Sequence, residues 1–486
     1  MNIQEIKTLG ALKKQGYVSK RIKSELRDNL MEKLKQKAPL FEGIIGYEDT
    51  VIPQLIHAIL SEHNINLLGL RGQAKTRIAR SLTDLLDEYI PIVEGSEIND
   101  DPMNPISFYA KELVAKEGDN TPISWVHRSE RFSEKLATPD VTVADLIGDV
   151  DPIKAANLKL SYADERVIHF GMIPRANRCI FVINELPDLQ ARIQVSLFNI
   201  LQEGDVQIRG FKIRLPLDVN FVFTANPEDY TNRGSIVTPL KDRIGSQIIT
   251  HYPNSIELAK EITNQEVAKQ VQSDAIYVPE LAKTLIEQIG FEARENELID
   301  AKSGVSARMS ITMYENLLSG ATYRMLTTQQ ESTAIRMSDF LAVIPAITGK
   351  VELVYEGEQE GAENVALLLL GNAIKTLFND SFREIKKLSK PGATDEFDAV
   401  VSWFMENSSF SLSADLNDKA YAEILNAVEP LNEIVEMYQA LASPADKLFF
   451  KEFLLWGLVE YNKLDKQETK RGYQFEDRVL GSFYNN

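Results

Sequence analysis

Three short, continuous apolar runs punctuate the first half of the chain: Ile65-Asn66-Leu67-Leu68, Cys179-Ile180-Phe181-Val182-Ile183 and Phe221-Val222-Phe223-Thr224. Runs of this length without polar alternation suit strands buried on both faces. They alternate with helix-period stretches between Phe41 and about Tyr252, which predicts an α/β domain over 41–252, a parallel sheet flanked by helices. Ahead of it, residues 1–40 read as one or two helices with Leu26, Leu30, Met31 and Leu34 at helical spacing. Behind it, Ile256 to Val271, Pro279 to Ile289 and Ile311 to Leu326 predict a helical segment over 253–350. Residues 351–486 read as a further, mostly helical domain. The polar stretch 97–135 reads as an irregular insertion in the α/β domain.

Charge narrows the choice of partners. The 486 residues hold 53 Lys+Arg against 71 Asp+Glu, a net of −18. Such acidity argues against a nucleic-acid binder or a protein held on anionic membranes, both of which need clustered positive charge. Residues 1–40 run the other way, with ten basic and four acidic side chains. A solvated amphipathic helix explains this; contact with an acidic partner or a neighbouring subunit is the alternative. The lone Cys179 leaves no intrachain disulfide and no Cys-rich zinc site, and it reads as a small buried hydrophobe. The charged N-terminus and the absence of a run near 20 apolar residues point to a cytoplasmic protein without membrane insertion.

The first apolar run leads into chemistry. Gly69-Leu70-Arg71-Gly72-Gln73-Ala74-Lys75-Thr76 follows a strand and precedes a helix that begins Arg77-Ile78-Ala79-Arg80. This is the context of a Walker A phosphate loop. Loop N–H groups face the phosphates, Lys75 supplies charge at the β/γ oxygens, and the Thr76 hydroxyl ligates Mg²⁺. Ala74 stands where a second glycine is expected, a substitution that suits a negative φ. The second run ends in Asn184-Glu185, a Walker B pattern: Glu185 is placed to polarise water, while Asn184 replaces the usual Asp and brings no charge to the metal's water shell. The third ends in Ala225-Asn226-Pro227, with Asn226 in the position of a sensor 1 that orients water or reads the γ-phosphate; an Asn-Pro turn is the plainer alternative. In Pro239-Leu240-Lys241-Asp242-Arg243, Arg243 reads as an arginine finger offered to a neighbour's ATP, against a surface ion pair. In Ser303-Gly304-Val305-Ser306-Ala307-Arg308, Arg308 reads as sensor 2.

Five motifs in this order resemble an AAA+ ATPase, and within that class the branch of the MoxR ATPases and the magnesium-chelatase ATPase subunit. Phe41-Glu42-Gly43-Ile44-Ile45-Gly46-Tyr47-Glu48 is similar to that branch's adenine-contacting segment, which implies contacts from Ile45 and Gly46. Asp145 to Asp151, followed by Gly171 to Ala176, resembles its helix-2 insert and the return before Walker B, and Leu201 to Gly210 its pre-sensor-1 hairpin. The resemblance covers about 41–350. It implies a nucleotide site of Gly69, Gly72, Gln73, Ala74, Lys75, Thr76 and Arg77, a metal held through Thr76 and Asn184, and assembly into a homo-oligomeric ring, a hexamer.

Three functions follow as expectations. The main one is an ATP hydrolase that remodels or matures a partner protein, as MoxR-like chaperones do with von Willebrand A domain partners; the chain lacks that domain's Asp-x-Ser-x-Ser motif, so the partner would be separate. The alternatives are the ATPase subunit of a magnesium or cobalt chelatase, and an assembly scaffold that binds ATP and hydrolyses it slowly, which Asn184 keeps open. Arg209, Lys212 and Arg214 alternate along the hairpin; a solvent face is the simple reading, a pore-facing grip on a client the sharper one.

Overall fold

The computed structural model describes residues 5–162, 164–208, 214–227, 235–267, 271, 274–382, 396–407, 410–413, 415–469 and 472–477. They form two compact units, 1–251 and 252–486. In the first, five parallel strands make one sheet: β1 (Ile65–Leu68), β2 (Phe132–Leu136), β3 (Cys179–Asn184), β4 (Val219–Ala225) and β5 (Ser246–Ile249), in the order β5-β1-β4-β3-β2. Side chains alternate between two cores. Ile65, Leu67, Ile180, Val182 and Val222 pack with the helices Ile22–Gln36 and Val51–Leu60. Cys179, Phe181, Ile183, Phe221 and Phe223 pack on the other face, where the Phe221 and Phe223 rings stack 5.9 Å apart. A sheet buried on both sides is why these strands read as continuous apolar runs.

Two expectations need correction. The stretch 97–135 is not irregular: it holds the helix Phe108–Glu117, the strand Ile123–His127 paired antiparallel with Tyr89–Val93, and β2 itself. β2 is an edge strand carrying Ser133, Glu134 and Lys135, so its apolar signal is weak. In the helix Ile22–Gln36 the buried face is Ile22, Glu25, Leu26 and Leu30, whereas Met31 and Leu34 are exposed. Glu25 is drawn inward by Arg131, which it meets through two contacts of 2.6 and 2.7 Å. Arg131 also donates to the Arg178 carbonyl at 3.0 Å, so the pair pins the N-terminal helix to the approach of β2.

The second unit is built around the helices Glu280–Glu295, Arg308–Thr327, Ala362–Ser381 and Pro444–Glu460. Residues on both sides of position 350 share its apolar core, from Leu285 and Met313 to Leu369, Phe378 and Phe453. A buried polar network spans the same interval. Arg324 forks onto Asp339, Arg336 reaches Asp418 at 2.6 Å, and the Glu452 carboxylate accepts from Tyr421 Oη at 2.6 Å and Met337 N at 2.8 Å. Besides helices, the C-terminal part holds a three-stranded antiparallel sheet of Ser411–Ser413, Leu464–Thr469 and Gly472–Asp477, which its helical pattern did not announce. Among the described residues no helix is long and apolar enough to cross a membrane.

Candidate nucleotide site

The functional segments meet at the carboxyl ends of the strands, where open parallel sheets bind ligands. β1 ends at Leu68 opposite Ala225, and Gly69 N donates to Ala225 O at 3.1 Å, so the phosphate loop leaves the sheet beside Asn226. A Cβ on Gly69 would stand 1.9 Å from Thr250 Oγ1 and 2.2 Å from Gln73 Oε1; only glycine fits there. Thr250 Oγ1 donates to Gln73 Oε1 at 2.8 Å, and this buried strut supports the loop from below. Gly72 lies at φ +74°. Ala74 lies at φ +55°, ψ +16°, which overturns the expectation of a negative φ: the alanine adopts the left-handed conformation that glycine supplies at no steric cost. The helix Lys75–Ser81 starts at once. Lys75 is buried, and its Nζ is held on the carbonyl oxygens of Gly69 and Leu70, the inner wall of the loop. Thr76 and Arg77 are exposed on the first turn.

The acidic end is organised by Thr224, a residue the motifs did not single out. Its hydroxyl donates to Asn184 Oδ1 at 3.2 Å and accepts from Glu185 N at 3.1 Å, fixing both Walker B residues from the neighbouring strand. Glu185 sits at φ +55°, half-buried, where the chain turns away from β3. Asn226 is buried at the end of β4. The two side chains that the motifs name for Mg²⁺, the Thr76 hydroxyl and the Asn184 amide, are both neutral, and the Asn184 oxygen already accepts from Thr224; an ion held by them would have most of its charge met by the phosphates of a bound nucleotide. Among the described residues no cluster of three His, Cys, Asp or Glu could hold a metal on its own. Burial pushes the Cys179 thiol up to about 11, consistent with an inert core residue at the start of β3.

Ile45 and Gly46 lie half-buried in the segment before the helix Val51–Leu60, and Gly46 N donates to Glu48 Oε1 at 3.1 Å. The neighbouring Tyr47 is buried, and its hydroxyl lies 3.1 Å from Gln73 O in the phosphate loop and 2.7 Å from His251 O. Its ring meets the His251 imidazole edge-on at 4.9 Å, and His251 Nε2 lies 2.8 Å from Thr50 Oγ1. Tyr47 thus joins three segments distant in sequence. The apolar pattern shows it only as one more aromatic, and Thr250 only as a polar residue beyond β5.

Arg243 is half-exposed and held in place. Nε donates to Gln202 Oε1 at 3.0 Å, a terminal nitrogen donates to Pro239 O at 2.7 Å, and the guanidinium lies 5.0 Å from the Phe198 ring centre. Arg308 is the exposed first residue of the helix Arg308–Thr327 in the second unit. The hairpin strands Asp205–Gln207 and Arg214–Pro216 pair antiparallel, and Arg214 lies 3.3 Å from Asp205. Arg209 and Lys212 lie outside the described residues.

The sheet order and these placements are those of a P-loop nucleotide-binding fold with the AAA+ motif set. No family model matches the chain. By sequence it is similar to a magnesium-chelatase subunit ChlI of Nostoc sp., 26% identical over 230 residues, 46% of this chain and 58% of the relative. It is also similar to a magnesium-chelatase 38 kDa subunit of Cereibacter sphaeroides, 25% identical over 239 residues, 48% of this chain and 65% of the relative. The chain thus spans less than two thirds of the length of these relatives. A solved assembly of magnesium-chelatase subunits BchI and BchD overlays with a TM-score of 0.35 at 19% identity, covering 66% of this chain and 98% of that one. The chain is related to the AAA+ subunits of magnesium chelatase.

Proposed function

We propose that this AAA+ relative is an ATP hydrolase that works as a homo-oligomeric ring and couples the nucleotide cycle to remodelling of a separate partner protein. The observation that carries the reading is the convergence of Lys75, Asn184, Glu185 and Asn226 at one edge of a parallel sheet, braced by Thr224 and the Gln73–Thr250 strut. Bound Mg²⁺ would supply charge neutralisation between the β- and γ-phosphates, with Thr76 and Asn184 facing its coordination shell. Lys75 meets phosphate charge in place of the loop carbonyls. Glu185 takes the proton of the attacking water, and Asn226 orients that water. Arg243 reaches the site of a neighbouring subunit, and its anchoring by Gln202, Pro239 and Phe198 sets its direction in advance.

A chelatase role is the second reading, favoured by the names of the sequence relatives. The partner-remodelling reading takes precedence because the matches take in only 46% and 48% of this chain, leaving about half of it outside the chelatase likeness. The test is subunit mixing. Arg243→Ala should lower turnover by about 10³, and Glu185→Gln by at least about 10², while each retains ATP. A mixture of the two should regain activity, because a subunit with intact Glu185 then meets one with intact Arg243. Co-assembly without rescue would remove the shared-site model.

A further inference from the structure

A cleft of about 380 Å³ lies in the first unit among segments that the nucleotide chemistry does not use. Its floor is Ile168, Phe170 and, from the flanks of the hairpin, Ile208 and Leu215; its walls are Phe108 and Leu158. Phe108, Tyr109 and Leu158, all lining the cleft, remain 38%, 48% and 54% exposed. Exposed apolar groups gathered around a concave apolar floor mark a binding surface.

The charges at the rim state what it would bind. Among the described residues three carboxylates line it, Glu97, Glu112 and Glu165, with two cations, Lys154 and Arg166. Both cations are already engaged. Lys154 pairs with Glu97 at 3.3 Å; Arg166 forks onto Asp164 at 2.8 and 2.6 Å and lies 5.9 Å from the Phe108 ring centre. Glu112 and Glu165 form no ion pair among the described residues, although the Glu112 charge acts on Arg166 from beyond contact distance. Among the described residues the rim therefore offers negative charge over an apolar floor, which disfavours anionic ligands.

We propose that this cleft takes a segment of a partner protein in which apolar side chains alternate with lysine or arginine, the apolar groups filling the floor and the cation received by Glu112 and Glu165. The proposal rests on the partner-remodelling reading and names the chemistry of the partner. The sheet, the phosphate loop and the finger lie outside the cleft, so occupancy can be altered without touching turnover.

The experiment uses the full chain and two fluorescein-labelled peptides, Leu-Lys-Ile-Arg-Leu-Phe and Leu-Glu-Ile-Glu-Leu-Phe, followed by anisotropy at low and high salt. The basic peptide should bind at least about tenfold more tightly at low salt, and the preference should shrink as salt rises. Glu112→Gln combined with Glu165→Gln should weaken the basic peptide by roughly threefold to tenfold. Leu158→Asp, a change at a half-exposed side chain, should weaken both peptides. ATP turnover should be unchanged in each variant. Equal affinity for the two peptides, binding indifferent to these substitutions, or no binding of the basic peptide at about 1 mM would overturn the proposal. ATP titrated into the same preparations separates the two claims: intact ATP binding without peptide binding removes the cleft alone, and absent ATP binding removes the ATPase reading.

Discussion

At Ala74 the chain holds an L-residue at φ +55° next to Lys75, the lysine of the phosphate-loop motif. A left-handed non-glycine residue costs about 1–2 kcal/mol, set against roughly 0.5–1 kcal/mol of extra backbone entropy that glycine loses on folding. Ala74→Gly should therefore stabilise the first unit by up to ~1.5 kcal/mol, read as a higher urea midpoint for the loss of ATP binding. An unchanged or lower midpoint would show that the surrounding loop relaxes the alanine. Asn184 makes the other residue-scale prediction. Thr224 donates to its side-chain oxygen, and an aspartate accepts the same bond, so Asn184→Asp adds charge without disturbing the frame. The substitution should lower the Mg²⁺ concentration for half-maximal turnover by roughly fivefold, the ~1 kcal/mol that one charge supplies through solvent at close range. A slower enzyme with no gain in Mg²⁺ use would mean that the amide is tuned to this site. Lys75, Thr76, Asn184, Glu185 and Asn226 were legible because chemistry at strand ends follows apolar runs. The sign of φ at Ala74 was not, since nothing in an alanine's side chain reports it.

At the scale of elements, what the sequence disclosed depended on burial. β1, β3 and β4 are covered on both faces and stand out as apolar runs, whereas β2 lies at the sheet edge with Glu134 and Lys135 in it and merges with its polar surroundings. Long-range polar contacts were equally silent. Tyr47 joins the phosphate loop to His251, and Glu25 crosses to Arg131, through pairings that no local periodicity encodes. The second pair carries a prediction. Arg131 is 1% exposed and its carboxylate partner 4%, so Glu25→Gln leaves a buried guanidinium without its counter-charge. The loss should be about 3–5 kcal/mol, enough to loosen the helix Ile22–Gln36 from the sheet. Hydrogen exchange on that helix checks it: protection should fall there before it falls in β1 or β4. Unchanged protection would make the pair an ornament of an otherwise sufficient apolar core.

The whole molecule joins a unit that carries the phosphate-loop motif to a second unit whose core runs unbroken across position 350. The network of Arg324, Arg336, Asp339, Asp418, Tyr421 and Glu452 binds the segment that follows Arg308 to the C-terminal helices Asp418–Asn426 and Pro444–Glu460. Movement of that segment would then carry the C-terminal region with it. Ring assembly, a finger in trans and a client all presuppose that the phosphate loop of unit one binds ATP. Calorimetric titration of Mg-ATP into the full chain and into Lys75→Ala tests that premise most directly. The wild-type chain should bind one ATP per subunit, and removal of a charge-assisted contact worth ~2 kcal/mol should weaken binding at least about thirtyfold. Equal affinity in the two proteins would contradict the account.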